Sequence, residues 1–177
     1  MEIGVLFADV RGFTALAETL SPPRVAELLN RFYACAAKIL GRAAVIDKLV
    51  GDEVMALYIP QLIGQHWEDE LVRDARELLE AVGFGPGDEP WLQLGVGLDV
   101  GRAFVGNVGS GEVKDFTALG DVVNTASRLQ SSAQAGQIVL SERLFGRLSQ
   151  RASVPGHVVE LKGKQEPEPV RVIDLAE

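Results

Sequence analysis

The chain has 177 residues, 47% hydrophobic and 24% charged, with a formal net charge of −8 and a pI near 4.8. That size supports a single domain, residues 1–177, with a real core, and the acidic balance excludes a generic nucleic-acid or anionic-membrane surface, because both are polyanions. No run reaches the roughly 18 apolar residues of a membrane span, no secretory signal opens the chain, and the lone Cys35, set in an apolar helical pattern that reads as core, has no intrachain partner; these features predict the cytoplasm.

Met1 and Glu2 open straight onto a strand, Ile3 to Asp9, too apolar to be half exposed. Such a start reads as one domain of a longer protein and leaves room for a covalently linked regulatory domain outside this sequence. After a short helical segment, Ser21-Pro22-Pro23 supplies an N-cap and first-turn proline for a long helix with Val25, Leu28, Leu29, Phe32, Ile39 and Leu40 on one face. Two β-rich runs, "AAVIDKLV" and "EVMALYI", are split by the hairpin signal Gly51-Asp52. A second helix is expected over Glu68 to Val82, then the loop "GFGPGDEP". The strands "WLQLGVGLDV" and "RAFVGNV" follow, with a turn at Gly101, and the helix of "GDVVNTASRL" is entered through Gly120-Asp121.

This order, β-α-β-β-α-β plus further strands and helices, predicts an α/β (α+β) fold with a ferredoxin-like core and C-terminal additions. A right-handed crossover with the third strand inserted between the first two would bring Asp9, at the tip of strand one, beside Asp52 in the hairpin. Two carboxylates so placed repel unless a cation or a shared proton lies between them. Magnesium suits hard oxygen ligands of this kind; the alternative is that both are ordinary turn and cap residues.

The motifs "FADVRGFT", "DKLVGDEVMALY" and "GDVVNTASRL", in this order, resemble the catalytic domain of class III nucleotidyl cyclases, the adenylyl and guanylyl cyclases. The resemblance runs over essentially the whole chain. It implies that Asp9 and Asp52, with the carbonyl of Val10, bind two Mg²⁺ or Mn²⁺ ions. Asn124 and Arg128, four apart and so on one helix face, would orient the ribose and stabilise the transition state. Arg102 and Lys164 match positions that hold the β- and γ-phosphates, with Lys162 the alternative to Lys164. Backbone N–H groups of Gly12, Phe13 and Thr14 could face a phosphate, or form a plain turn with Phe13 as core.

Base choice follows from donor and acceptor pattern. Adenine offers an acceptor at N1 and a donor amine at N6, and guanine the reverse at N1 and O6. Lys48, whose family equivalent lies against the purine edge, only donates and so favours adenine. Its partner position holds Thr117, where many members carry Asp. The pair resembles that of bacterial adenylyl cyclases. The resemblance therefore implies an adenylyl cyclase taking ATP to cyclic AMP and pyrophosphate in a homodimer with two shared sites. One subunit would give the aspartates and Arg102, and the other Lys48, Thr117, Asn124, Arg128 and Lys164. The rivals are a guanylyl cyclase or diguanylate-type synthase, and a non-catalytic nucleotide-sensing or dimerisation module.

Overall fold

The computed structural model describes residues 1–110, 113–149, 156–159 and 168–176. Lys162 and Lys164 lie outside the described residues. The chain runs β1 (Glu2–Val10), α1 (Phe13–Thr19), α2 (Pro22–Leu40), β2 (Val45–Val50), β3 (Glu53–Tyr58), α3 (Pro60–Ile63) and α4 (Trp67–Leu79). It continues through β4 (Leu94–Arg102), β5 (Phe104–Ser110), β6 (Val113–Leu119), α5 (Asp121–Ser132), β7 (Gln137–Ser141), α6 (Glu142–Phe145), β8 (Gly156–Val159) and β9 (Glu168–Asp174). The main sheet has the order β2-β3-β1-β4-β7-β9-β8, and β5-β6 form a separate two-stranded ribbon. Its first four strands are the expected ferredoxin-like core, with β3 inserted between β1 and β2 and antiparallel to both.

Alternation along β1 decides what covers each side of the sheet. Leu6, Ala8 and Val10 face a large core with Phe32, Ala36 and Leu40 of α2 and Leu71, Ala75 and Leu78 of α4. Ile3, Val5 and Phe7 face a smaller one with Val122 and Ala126 of α5 and Ala118 of β6. On β4 the residues toward α5 are Gly95, Gly97, Asp99 and Gly101, the partners of Asp9, Phe7, Val5 and Ile3. This row of small side chains is a trough. A Cβ at Gly97 would lie 2.1 Å from the backbone nitrogen of Gln130 and 2.4 Å from the carbonyl of Ala126, so α5 rests its backbone directly on the strand there.

One local expectation needs correction. Gly101 is not a turn: it pairs with Ile3 inside β4, because a glycine under Val122 lets strand and helix meet. Ser21 is the N-cap of α2 and Pro22 and Pro23 open its first turn, as expected, though the Ser21 side chain makes no cap bond. The second helix runs through α4 and widens into a π-turn from Glu80, and its non-helical break comes at Gly83, φ 108, just after the expected end at Val82. Cys35 packs half-buried against the larger core. No helix of the described residues is long and apolar enough to cross a membrane.

Candidate active site

The aspartates meet where β1 ends. The Val10 N–H donates to the Asp52 carbonyl at 3.2 Å, while Asp9 stands opposite Glu53, so the tip of β1 lies against the β2–β3 hairpin. Gly51 turns that hairpin with φ 60. Burial, then a hydrogen bond from Asp52 and its charge, push the Asp9 carboxyl from its ordinary 3.8 up to about 7; Arg11 opposes the rise and Glu53 adds to it. Burial and the neighbouring carboxylate thus disfavour negative charge on Asp9 in the metal-free protein.

Three side chains absent from the sequence reading position this pair. Arg11 Nη2 donates to Asp9 Oδ2 at 3.1 Å, and Gln130 Nε2 of α5 donates to the same oxygen at 3.2 Å. Tyr33 of α2 donates its hydroxyl to the Gly51 carbonyl, next to Asp52. Burial and the Asp52 charge hold the Tyr33 pKa above its usual value. Arg11 has room because its neighbour across β4 is a glycine, where a Cβ would come within 3.1 Å of Arg11 Nε. Arg11 was visible inside "FADVRGFT"; Gln130 carried no signal beyond its place two residues after Arg128.

The donor set fits magnesium or manganese, because two carboxylates and the Val10 carbonyl are hard oxygens. No cluster of three or more His, Cys, Asp or Glu ligands occurs among the described residues. Gly12 takes the left-handed φ of 69 and caps α1, so the N–H groups of Phe13 and Thr14 belong to a first turn that has no helical acceptor for them.

The β1–β4 register separates Arg102 from this site. Asp9 pairs with Gly95 and Glu2 with Arg102, so Arg102 lies seven rungs away, about 24 Å along the ladder. Within one chain Arg102 therefore cannot share phosphates with Asp9 and Asp52, against the sequence expectation. The positive side chain beside the aspartates is Arg11.

Asn124 and Arg128 do share a helix face, but not the one toward Asp9. Val122, Thr125, Ala126, Leu129 and Gln130 are buried against the sheet, while Asn124 is exposed. From Gln130, which touches Asp9, Asn124 is about 120° and Arg128 about 160° around the helix. One chain therefore does not bring the amide and guanidinium to its own aspartates.

Lys48 and Thr117 belong to β2 and β6 and are joined by two acids. Lys48 Nζ lies 3.3 Å from Asp115 Oδ2 and 4.0 Å from Asp47 Oδ2, and the Thr117 hydroxyl donates to Asp47 Oδ2 at 3.0 Å. Burial raises the Asp47 pKa, the Thr117 hydroxyl and Lys48 pull it back, and Asp115 adds to the rise. Around this cluster Leu49, Val50, Phe104, Phe116 and Leu119 are exposed large apolar side chains.

A family model described as the adenylate and guanylate cyclase catalytic domain matches residues 1–172. An adenylate cyclase of Anabaena cylindrica is 30% identical over 177 residues, covering 92% of this chain and 34% of that protein. The atrial natriuretic peptide receptor 2 of Homo sapiens is 33% identical over 172 residues, covering 92% of the chain and 16% of the receptor. The chain thus spans about a third or less of the length of these relatives. Among solved structures, the guanylyl cyclase Cya2 superposes with a TM-score of 0.87 at 28% identity, over 97% of this chain and 91% of that one.

Proposed function

Because the chain belongs to the adenylate and guanylate cyclase catalytic-domain family, we propose that residues 1–177 form one catalytic domain that converts ATP to 3′,5′-cyclic AMP and pyrophosphate. The observation that carries this reading is the meeting of Asp9 and Asp52 where β1 ends against the β2–β3 hairpin. Asp9, Asp52 and the Val10 carbonyl would hold two Mg²⁺ or Mn²⁺ ions, which when bound supply Lewis-acid stabilisation of the attacking and leaving oxygens.

The chain's own groups do the rest. In the reaction the ribose 3′-oxygen bonds to the α-phosphorus, its proton is lost, and the bond from that phosphorus to the pyrophosphate oxygen breaks. Asn124 orients the ribose, and Arg128 receives the charge that gathers on the α-phosphate oxygens. Arg11 and the free N–H groups of Gly12, Phe13 and Thr14 meet the β- and γ-phosphates, with Lys164 as a further cation. Lys48 donates to adenine N1, and Thr117 receives the N6 amine.

Two observations support a homodimer with shared sites. The Asn124–Arg128 face turns away from the aspartates of its own chain, and the Lys48–Thr117 cluster is ringed by exposed apolar side chains that a second copy would cover. A cytoplasmic setting and a linked regulatory domain fit the same reading.

Cyclic GMP from GTP is the second reading, favoured by the likeness to a guanylyl cyclase. The test is to incubate purified protein with ATP or GTP and Mn²⁺ and to separate the products by chromatography. Cyclic AMP from ATP is expected, with Lys48→Glu losing ATP turnover and gaining relative use of GTP, since an acceptor then meets guanine N1–H. A protein that makes neither cyclic nucleotide is not a cyclase, and an unchanged ATP/GTP preference in Lys48→Glu removes Lys48 from the purine pocket.

A further inference from the structure

Asp47 is the extra residue of a bulge. Ile46 faces Ala56 and Lys48 faces Met55 on β3, so Asp47 has no rung of its own and its side chain is turned toward β6. That side chain is fully buried. Its Oδ2 accepts from the Thr117 hydroxyl, and its Oδ1 has no hydrogen-bond partner. A carboxylate in such a place is expensive: leaving one buried acceptor unmade costs about 1–3 kcal/mol, and an Asn there would accept from Thr117 at less desolvation cost.

What a carboxylate does and an Asn does not is forbid one polarity. A hydroxyl has a single proton and two lone pairs. An ionised carboxylate has no proton to give, so the Thr117 proton must point at Asp47 and the Thr117 oxygen is left only to accept. We infer that Asp47 is a specificity-determining residue of the purine pocket: it fixes Thr117 as an acceptor for adenine's exocyclic amine and denies guanine O6 a donor. Asp47 touches Thr117 rather than the base, so it is a positioning residue, acting through that hydroxyl. Lys48 Nζ lies nearer Asp115 Oδ2, at 3.3 Å, than Asp47 Oδ2, at 4.0 Å, so the Asp47 effect runs through Thr117. Thr117 alone is ambiguous between the bases; Thr117 held by Asp47 is not.

This inference rests on the cyclase reading, and its test separates the two. Asp47→Asn lets an amide N–H point at Thr117, which frees the hydroxyl to donate to guanine O6. Wild type, Asp47→Asn, Thr117→Val and the double variant are compared by the ability of ATP and GTP to displace a fluorescent ATP analogue, and by turnover of each nucleotide with Mn²⁺. The ATP:GTP binding ratio should fall about tenfold in Asp47→Asn. In the Thr117→Val background the same substitution should leave the ratio within about twofold, because the hydroxyl it acts through is gone. Should Asp47→Asn not fold, Asp47→Ala frees the same proton and should give the same fall. A folded Asp47 variant with the wild-type ratio, or one whose effect is equal with and without the Thr117 hydroxyl, overturns the proposal. A wild type that binds ATP over GTP yet makes no cyclic nucleotide overturns the cyclase reading alone, and the binding ratios still decide on Asp47. A wild type that binds neither overturns both.

Discussion

At the scale of single residues the site is organised by what each carboxylate is allowed to do with its proton. Asp9 binds one more readily when folded than when unfolded, because burial and Asp52 lift its pKa from 3.8 to about 7. Between those values the folded state holds more protons than the unfolded one, so this group makes the metal-free protein less stable as pH rises from about 4 to about 7, with the loss complete above that. Asp9→Asn should flatten this part of the pH dependence and raise the melting temperature relative to wild type at pH 8 in a chelator. Mn²⁺ should then raise the melting temperature of wild type and not of the variant, since only a folded site with both carboxylates gains from the ion. Turnover of Asp9→Asn should fall to background. Melting curves from pH 4.5 to 8, with chelator and with Mn²⁺, check this; equal pH slopes in the two proteins would show that Asp9 is not the titrating group.

At the scale of elements, the decisive feature is the contact of α5 with β4, which carries Gln130 to Asp9. Gly97→Ala puts a methyl group into the backbone of Gln130 and Ala126. Neither the strand nor the helix can yield cheaply, so a loss of about 3 kcal/mol is expected, a fall of roughly 10 °C in melting temperature. Chemical denaturation measures it, and an unchanged midpoint would mean that α5 is free to lift. This trough was illegible in the sequence because "LGVGLDVG" reads as a strand weakened by glycines, and Gly101 as its end; only the packing of Val122 over Gly101 and of Gln130 over Gly97 explains them. The strands β1, β2 and β3 were legible because a buried apolar run and a Gly-Asp hairpin are local signals. Their order then placed Asp9 beside Asp52. Register is not local: nothing in "VGRAF" tells that Arg102 pairs with Glu2 while Gly95 faces Asp9. A bulge likewise leaves no mark, so Asp47 looked like any residue of an alternating strand.

At the scale of the whole molecule, the proposed shared-site reading makes the aspartates and the Asn124–Arg128 pair two half-sites, and within one chain these do not face each other. The aspartates look toward the Gln130 side of α5, and Asn124 and Arg128 occupy its opposite side. Two copies related by a two-fold axis can pair each half with the other's complement, and that symmetry makes two inactive proteins useful together. Asp52→Ala spoils the carboxylate half of both sites in its own homodimer, and Asn124→Ala spoils the ribose half of both in its own. In a mixed dimer both lesions fall in one site and the other is built from wild-type residues of each chain. With an equal mixture and random exchange about half the dimers are mixed, each with one good site of two, so roughly a quarter of wild-type activity should return. Asn124 is exposed and Asp52 sits in a hairpin, so neither change removes core packing. The measurement is cyclic AMP formation by the mixture at a concentration where subunits exchange, with exchange confirmed by a tag on one variant. If exchange occurs and the mixture is no more active than its parts, the two residue sets do not come from different subunits and the shared-site reading fails.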